Sequence, residues 1–432
     1  MAQRLASSKA TWLAFAVLAI TAPLTSLRSV HGWSEASRMA LTQALVEFQT
    51  LAIDQTAFMD TGDKVLIGGH YYSDKLALPS LLAALVYAPL FRLGLRLEWD
   101  SGNLAYLLIN LFTMKVVWLL GLAAFHHALS FTRLSGAQRL MVTFALGLSS
   151  LYLTWSATFN NHGLAAGWVA MGFAALLSLR RPGNEQLKCV GAGLSFGLAG
   201  ASDMPILAVY AGFALWFLAQ PDLRRLLPWY MLPLPLALAP SLAVNHAISG
   251  SFLPVQLVAD YFRWPGSPWT ADLLSGGHLR GGLDFALYGL TALLGDRGFV
   301  WYNPLLLVAI PMAVREAWRQ GPFWREAVVA AGVSLVVGVY YIATSANFGG
   351  ASYSIRWWVP LLPLWYFFLA PWFDTVARWR TWAFWVLFGL GVFVALVGVV
   401  EPWSRSGVPP LAANLQEFGP RLDFWLGRLG FR

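Results

Sequence analysis

Between Trp33 and Lys75 the chain gathers Glu35, Arg38, Glu47, Asp54, Asp60, Asp63, Lys64, His70, Asp74 and Lys75. Almost everything after this stretch is apolar. Charge is costly inside lipid and is kept where it serves a purpose. Glu35 and Asp63 are the acids placed to do chemistry, because this stretch holds nearly all the acids of the first third of the chain. Asp60-Thr61-Gly62-Asp63 offers carboxylate oxygens to a possible divalent cation. Asp54 follows Ala52-Ile53 and is expected to cap the next turn. His70, beside Gly69, is placed to bind a substrate or to close a turn. Lys75 follows Tyr71-Tyr72-Ser73-Asp74 and runs straight into Leu76-Ala77-Leu78-Pro79. Its stem reaches lipid and its amine reaches water, at the height of a lipid phosphate.

Other polar groups lie far away in sequence. Arg356 follows Asn347-Phe348-Gly349-Gly350-Ala351-Ser352-Tyr353-Ser354. Such a turn lets backbone N–H groups approach an anion, and Arg356 adds a guanidinium fork. With Trp357-Trp358 behind it, Arg356 also suits an aromatic-belt anchor. Asn160-Asn161-His162 stands at a helix–helix turn, as cap or as functional element. Lys115 lies in mid-helix and is expected to face other helices and pair with an acid or a backbone carbonyl.

Composition sets the class. Of the 432 residues, 58% are hydrophobic and 12% charged, with 22 Trp and a net charge of +8. Repeated apolar runs of about 20 residues read as membrane-spanning helices. The one cysteine, Cys189, excludes an intrachain disulfide and a thiolate metal cluster. Nothing points to a nucleic-acid partner. The run from Thr11 to Leu27 reads as an uncleaved signal anchor. With the N-terminus inside, Arg133, Arg139, Arg180, Arg181, Lys188, Arg224, Arg225, Arg315, Arg319, Arg325, Arg378 and Arg380 all fall on inner turns. The expectation is an all-α polytopic membrane protein, residues 1–432 forming one domain of about eleven spanning helices. Residues 31–97 form a first outer loop ending in a juxtamembrane helix, 249–298 a second large outer loop, and 401–432 a short outer tail. The unusual motifs then share the outer face: the first loop, Asn160-Asn161-His162, Asp203, the second loop with Asp260, Asp272, His278 and Asp284, Asp296-Arg297, and Asn347 to Arg356.

At this point the chain resembles the GT-C superfamily of membrane glycosyltransferases, near the aminoarabinose transferases and protein O-mannosyltransferases. Glu35-Ala36-Ser37-Arg38 matches an acid three residues before an arginine at the opening of the first outer loop. Gly69-His70-Tyr71-Tyr72-Ser73-Asp74-Lys75 matches the glycine, paired aromatics and lysine that close it. Gly349-Gly350-Ala351-Ser352 through Arg356 to Pro360 and Pro363, and Asp296-Arg297-Gly298-Phe299 before Asn303-Pro304, match later turns. Two departures stand out. Glu35 replaces the family's Asp and is followed by Ala36, and Lys75 is followed by Leu76 where the family has proline.

The resemblance implies a sugar donor on a polyprenyl phosphate and an acceptor hydroxyl on a glycan, lipid or protein. It implies a site on the outer face of a bacterial inner membrane. Lys75 and Arg356 would hold the phosphate, and Glu35 or Asp63 would take the acceptor proton, inverting the sugar. Arg38, His70, Tyr71, Tyr72, Asn161, His162 and Arg297 would bind substrate. Tyr71, Tyr72, Trp264 and Trp269 are placed to stack on sugars or to sit in the interface. Two alternatives stand beside this. A transporter or flippase of a lipid-linked or anionic solute would carry internal repeats and broken helices with mid-membrane ions. An inactive scaffold of the same fold would explain the missing Asp.

Overall fold

The computed structural model describes residues 2–99, 102–270, 273–274, 279–375, 377–404 and 409–416. Asp272, His278 and the tail beyond residue 416 lie outside the described residues. Helix α1 (Ala2–Leu24) leads to α2 (Trp33–Gln43), strands β1 (Lys64–Ile67) and β2 (His70–Ser73), and α3 (Ala77–Arg92). Then come α4 (Leu104–Leu129), α5 (Gly136–Leu148), α6 (Leu151–Ser156), α7 (Asn161–Leu177), α8 (Glu185–Ser202), α9 (Leu207–Leu218) and α10 (Pro221–Ser249). Helices α11 (Gly282–Leu294), α12 (Leu306–Trp318), α13 (Trp324–Thr344), α14 (Leu362–Phe367) and α15 (Arg378–Val400) complete the order. Among the described helices, α4, α7 with its extension to Arg180, α10, α13 and α15 are long and apolar enough to cross a membrane. Shorter apolar helices accompany them.

One feature departs from the all-α expectation. β1 and β2 pair antiparallel with Ile67 opposite His70. Gly68 and Gly69 have φ of 59° and 86°, the left-handed pair that a two-residue type I′ hairpin turn requires.

Helix α7 runs through the centre, against α4, α8 and the 356–361 segment. A Cβ on Gly121 of α4 would lie 2.8 Å from Gly167 Cα of α7. Small residues let apolar helices approach this closely. Lys115 is buried, as expected, but its partners differ from the acid or carbonyl anticipated. Nζ donates to Thr25 Oγ1 at 2.9 Å and Ser156 Oγ at 2.8 Å. Two hydroxyl oxygens accept from it and tie α4 to the residue that follows α1 and to α6.

The bundle has two distinct ends. At one, basic turns interlock: Arg180 Nη2 meets Glu326 at 2.8 Å and Arg225 Nη2 meets Glu185 at 2.9 Å. At the other, the two large loops fasten together. Trp269 Nε1 donates to Gly62 O at 2.7 Å and Trp264 Nε1 to Lys64 O at 3.2 Å. Val65 of the hairpin packs with Val255 and Phe262 of the second loop. The C-terminal segment folds back on the body, Tyr353 N donating to Pro402 O at 2.9 Å.

Candidate active site

Beneath the joined loops lies a cavity of about 280 Å³. It lies just below the range of roughly 300–1,000 Å³ for small-molecule sites. Arg38, Asp63, Lys75, Asn161, His162 and Arg356 all line it. They come from α2, the loop before β1, the loop before α3, the start of α7, and the turn after α13.

Arg38 is buried one helical turn after Ser34. Nη1 donates to Ser34 O at 2.6 Å and Ser34 Oγ at 2.7 Å, and Nη2 donates to Asn161 Oδ1 at 2.7 Å. Nε is buried with no acceptor among the described residues. Burial lowers its pKa to about 10, against the pull of Asp74, so the guanidinium stays charged at neutral pH.

Lys75 sits between two carboxylates. Nζ is 2.8 Å from Asp63 Oδ2 and 2.8 Å from Asp74 Oδ2. Ser37 Oγ donates to Asp74 Oδ1 at 3.2 Å, which ties the lysine's partner to α2. Burial raises the pKa of Asp74, with Lys75 opposing. The cation site expected at Asp60 and Asp63 does not fit the geometry. Asp60 is exposed, Asp63 is engaged by Lys75, and no group of three or more His, Cys, Asp or Glu among the described residues could hold a metal ion.

The wall opposite is built by α7. Asn160 Oδ1 accepts from Gly163 N at 2.8 Å, capping the helix. That sets Asn161 and His162 at its first turn, facing the cavity. His162 Nδ1 lies 2.6 Å from Asp203 Oδ2 at the end of α8. Arg356 completes the wall. Its guanidinium lies over the indole of Trp403, 4.7 Å from the ring centre. Nε is buried without an acceptor among the described residues, and no ion pair joins Arg356 to a described acid. Trp357 beside it stacks on Tyr341 with ring centres 4.5 Å apart.

Five expected site residues lie off the cavity. Glu35 is the important correction. It is fully buried at the start of α2. Oε2 accepts from His31 N at 2.9 Å and Gly32 N at 3.4 Å, while Oε1 accepts from Thr158 Oγ1 and, at 3.2 Å, from Phe159 N. Both oxygens are spent on capping α2 and clamping it to the segment before α7. His70 is exposed at the hairpin and meets Asp54 at 3.4 Å. Asp54 also accepts from Tyr71 N at 3.2 Å, so it fastens the hairpin to the preceding loop. Tyr71 makes an edge contact with Trp264, and Tyr72 joins the apolar contact with the second loop. Arg297 Nη1 donates to Gly350 O and Ser354 Oγ donates to Arg297 O at 2.8 Å, so Arg297 shapes the turn before Arg356. Asp74, Asp203 and Tyr341 line the cavity and were not singled out as site residues. Adjacency to Lys75 was the available signal for Asp74, and an acid in an otherwise apolar turn was the signal for Asp203.

Glu35 yields a stability prediction. Burial raises its pKa above the ordinary 4.5. The folded carboxyl therefore holds its proton to higher pH than the unfolded one. Its contribution to stability is complete below the unfolded value and is lost as pH rises through the folded value. Glu35→Gln turns one acceptor into a donor facing N–H or O–H groups, and should destabilise the fold by about 1–3 kcal/mol. In detergent melts, wild type should gain on Glu35→Gln as pH falls from neutral toward 5. A gap between them that ignores pH would contradict this.

No protein-family model and no curated protein sequence matches the chain. Solved structures do. ArnT from Cupriavidus metallidurans bound to undecaprenyl phosphate aligns with a TM-score of 0.61 and 15% identity, covering 98% of this chain and 77% of that one. The same protein in the apo state gives 0.58 and 16%, covering 87% of this chain and 62% of that one. The chain thus spans between three fifths and four fifths of the ArnT chains it matches. The likeness is one of architecture, and this chain shares the fold of ArnT.

Proposed function

We propose that this chain is an integral-membrane glycosyltransferase that moves a sugar from a polyprenyl-phosphate donor to an acceptor hydroxyl, with inversion. The observation that carries the reading is the unspent cation at Arg356. It faces the same cavity as Lys75 and Arg38, and no described acid pairs with it. A donor phosphate supplies the missing anion, and the three cations stabilise the charge that grows on it as the sugar leaves. Asp63 is the carboxylate of the expected pair that reaches the cavity, and it takes the acceptor's proton. The cavity volume suits one sugar with its phosphate. ArnT bound to undecaprenyl phosphate has the same fold, which supports a carrier of that class. The acceptor is a glycan, a lipid or a protein.

The test is turnover. Purified protein in lipid should release polyprenyl phosphate from a polyprenyl-phosphate sugar when membrane extract supplies acceptors. Protein that neither binds the lipid phosphate nor releases it from any sugar tried would overturn the reading.

The site belongs on the outer face of a bacterial inner membrane in this reading, because Lys and Arg favour inner turns. Cysteines at Gly69 and Ala351, both exposed, should react with an impermeant thiol reagent on intact cells, whereas one at Asn184 should not. Labelling at Asn184 from outside would reverse the orientation.

A further inference from the structure

His162 carries chemistry that phosphate binding alone does not use. A carboxylate 2.6 Å from Nδ1 calls for a proton on that nitrogen. Asp203's other oxygen accepts from Tyr341 Oη at 3.4 Å, so the acid is itself held. The His162 side chain is 6% exposed and lines the cavity. Nε2 makes no hydrogen bond to a described residue. The groups that face the ring are Asp203 from the end of α8, Tyr341 from α13, Arg38 from α2 and Arg356 from the turn after α13. Asn161 lies beside it on α7.

A ring oriented by a carboxylate, with its second nitrogen open to a reaction cavity, is built to move a proton. The rest of the clamp cannot supply one. Arginine does not give up its proton, and Lys75 is shared by two carboxylates. We propose that His162, held by Asp203, is the general acid of the transfer: it takes up a proton as the donor phosphate enters and gives it to the departing phosphate. The proposal rests on the phosphate reading above. A bound phosphate adds negative charge beside the ring, and together with Asp203 it stabilises the imidazolium.

The step balances. The bond from the sugar's anomeric carbon to the phosphate oxygen breaks, and its electron pair stays on that oxygen, which takes the Nε2 proton. The acceptor oxygen forms the new bond to the anomeric carbon and loses its proton to Asp63. Water then takes the proton from Asp63, and His162 regains one when the next donor binds.

The probe is farnesyl methyl phosphate, a diester with no proton to lose near neutral pH. Calorimetric titration in two buffers of different ionisation enthalpy, about one unit above the ordinary imidazole pKa, reads the protons exchanged. Wild type should take up about 1 proton per lipid bound. His162→Gln should bind within about tenfold of wild type and take up none. In turnover, His162→Gln should lose roughly 10²-fold in kcat, and the alkaline limb of its pH profile should vanish, which a merely structural role would not cause. Binding by wild type without proton uptake, or unchanged uptake in His162→Gln, overturns the proposal and leaves the phosphate reading standing. If His162→Gln does not fold, Asp203→Asn serves, and unchanged uptake there overturns it equally. Failure of wild type to bind the probe overturns the phosphate reading, and this proposal falls with it.

Discussion

Asp63→Asn is expected to slow sugar transfer by roughly 10²- to 10⁴-fold, the usual cost of losing a general base, while donor binding survives. Asparagine keeps the shape of the side chain and an oxygen for Lys75, which now lies 2.8 Å from Asp63 Oδ2. It cannot take a proton. Glu35→Gln provides the contrast. Both Glu35 oxygens are committed to His31, Gly32, Thr158 and Phe159, away from the cavity. Its loss should reduce the amount of folded protein and leave the rate per folded molecule within about tenfold of wild type. Rates normalised to folded protein, measured with one donor and one acceptor, separate the two. Near wild-type transfer by Asp63→Asn, or a greater loss in Glu35→Gln, would reverse the assignment.

The second large effect concerns the clamp. Lys75→Ala and Arg356→Ala should each weaken binding of undecaprenyl phosphate by about 10- to 100-fold, the worth of a charge-assisted hydrogen bond. Their combination should cost less than the product of the two, because both hold one phosphate. Lys75→Ala has an added consequence. Asp63 and Asp74 both rest on its ammonium, and without it two carboxylates face the incoming anion. Lys75→Arg should restore much of the binding, since a positive charge returns. Arg356→Lys should restore less, because a single ammonium cannot replace a planar fork. Fully multiplicative losses would mean that the residues hold different groups.

How far the sequence reached can be argued residue by residue. Apolar runs and basic turns made the membrane class legible. The order of motifs made the fold legible. Lys75 and Arg356 could be placed at one height from topology alone, and the structure puts both on one cavity. Glu35 misled because spacing to Arg38 says nothing of where an oxygen points. Oε2 caps α2 locally through His31 N and Gly32 N, but Oε1 is taken by Thr158 and Phe159, more than a hundred positions away. The hairpin escaped notice because Lys64–Ile67 and His70–Ser73 are too short for alternation to stand out, although Gly68-Gly69 was a usable turn signal. Lys115 was rightly buried, but its hydroxyl partners Thr25 and Ser156 are ordinary residues with no signature. The His162–Asp203 pair joins the ends of neighbouring helices, and pairing between helix ends is set by packing alone.

The central claim is that one lipid phosphate lies between Lys75, Arg38 and Arg356. An experimental structure with undecaprenyl phosphate bound tests it most directly. The account predicts phosphate density within hydrogen-bonding distance of Lys75 Nζ and the Arg356 guanidinium, with the prenyl chain leaving toward the membrane. Phosphate density elsewhere, with Lys75 still closed on Asp63 and Asp74 and Arg356 still on Trp403, would contradict it.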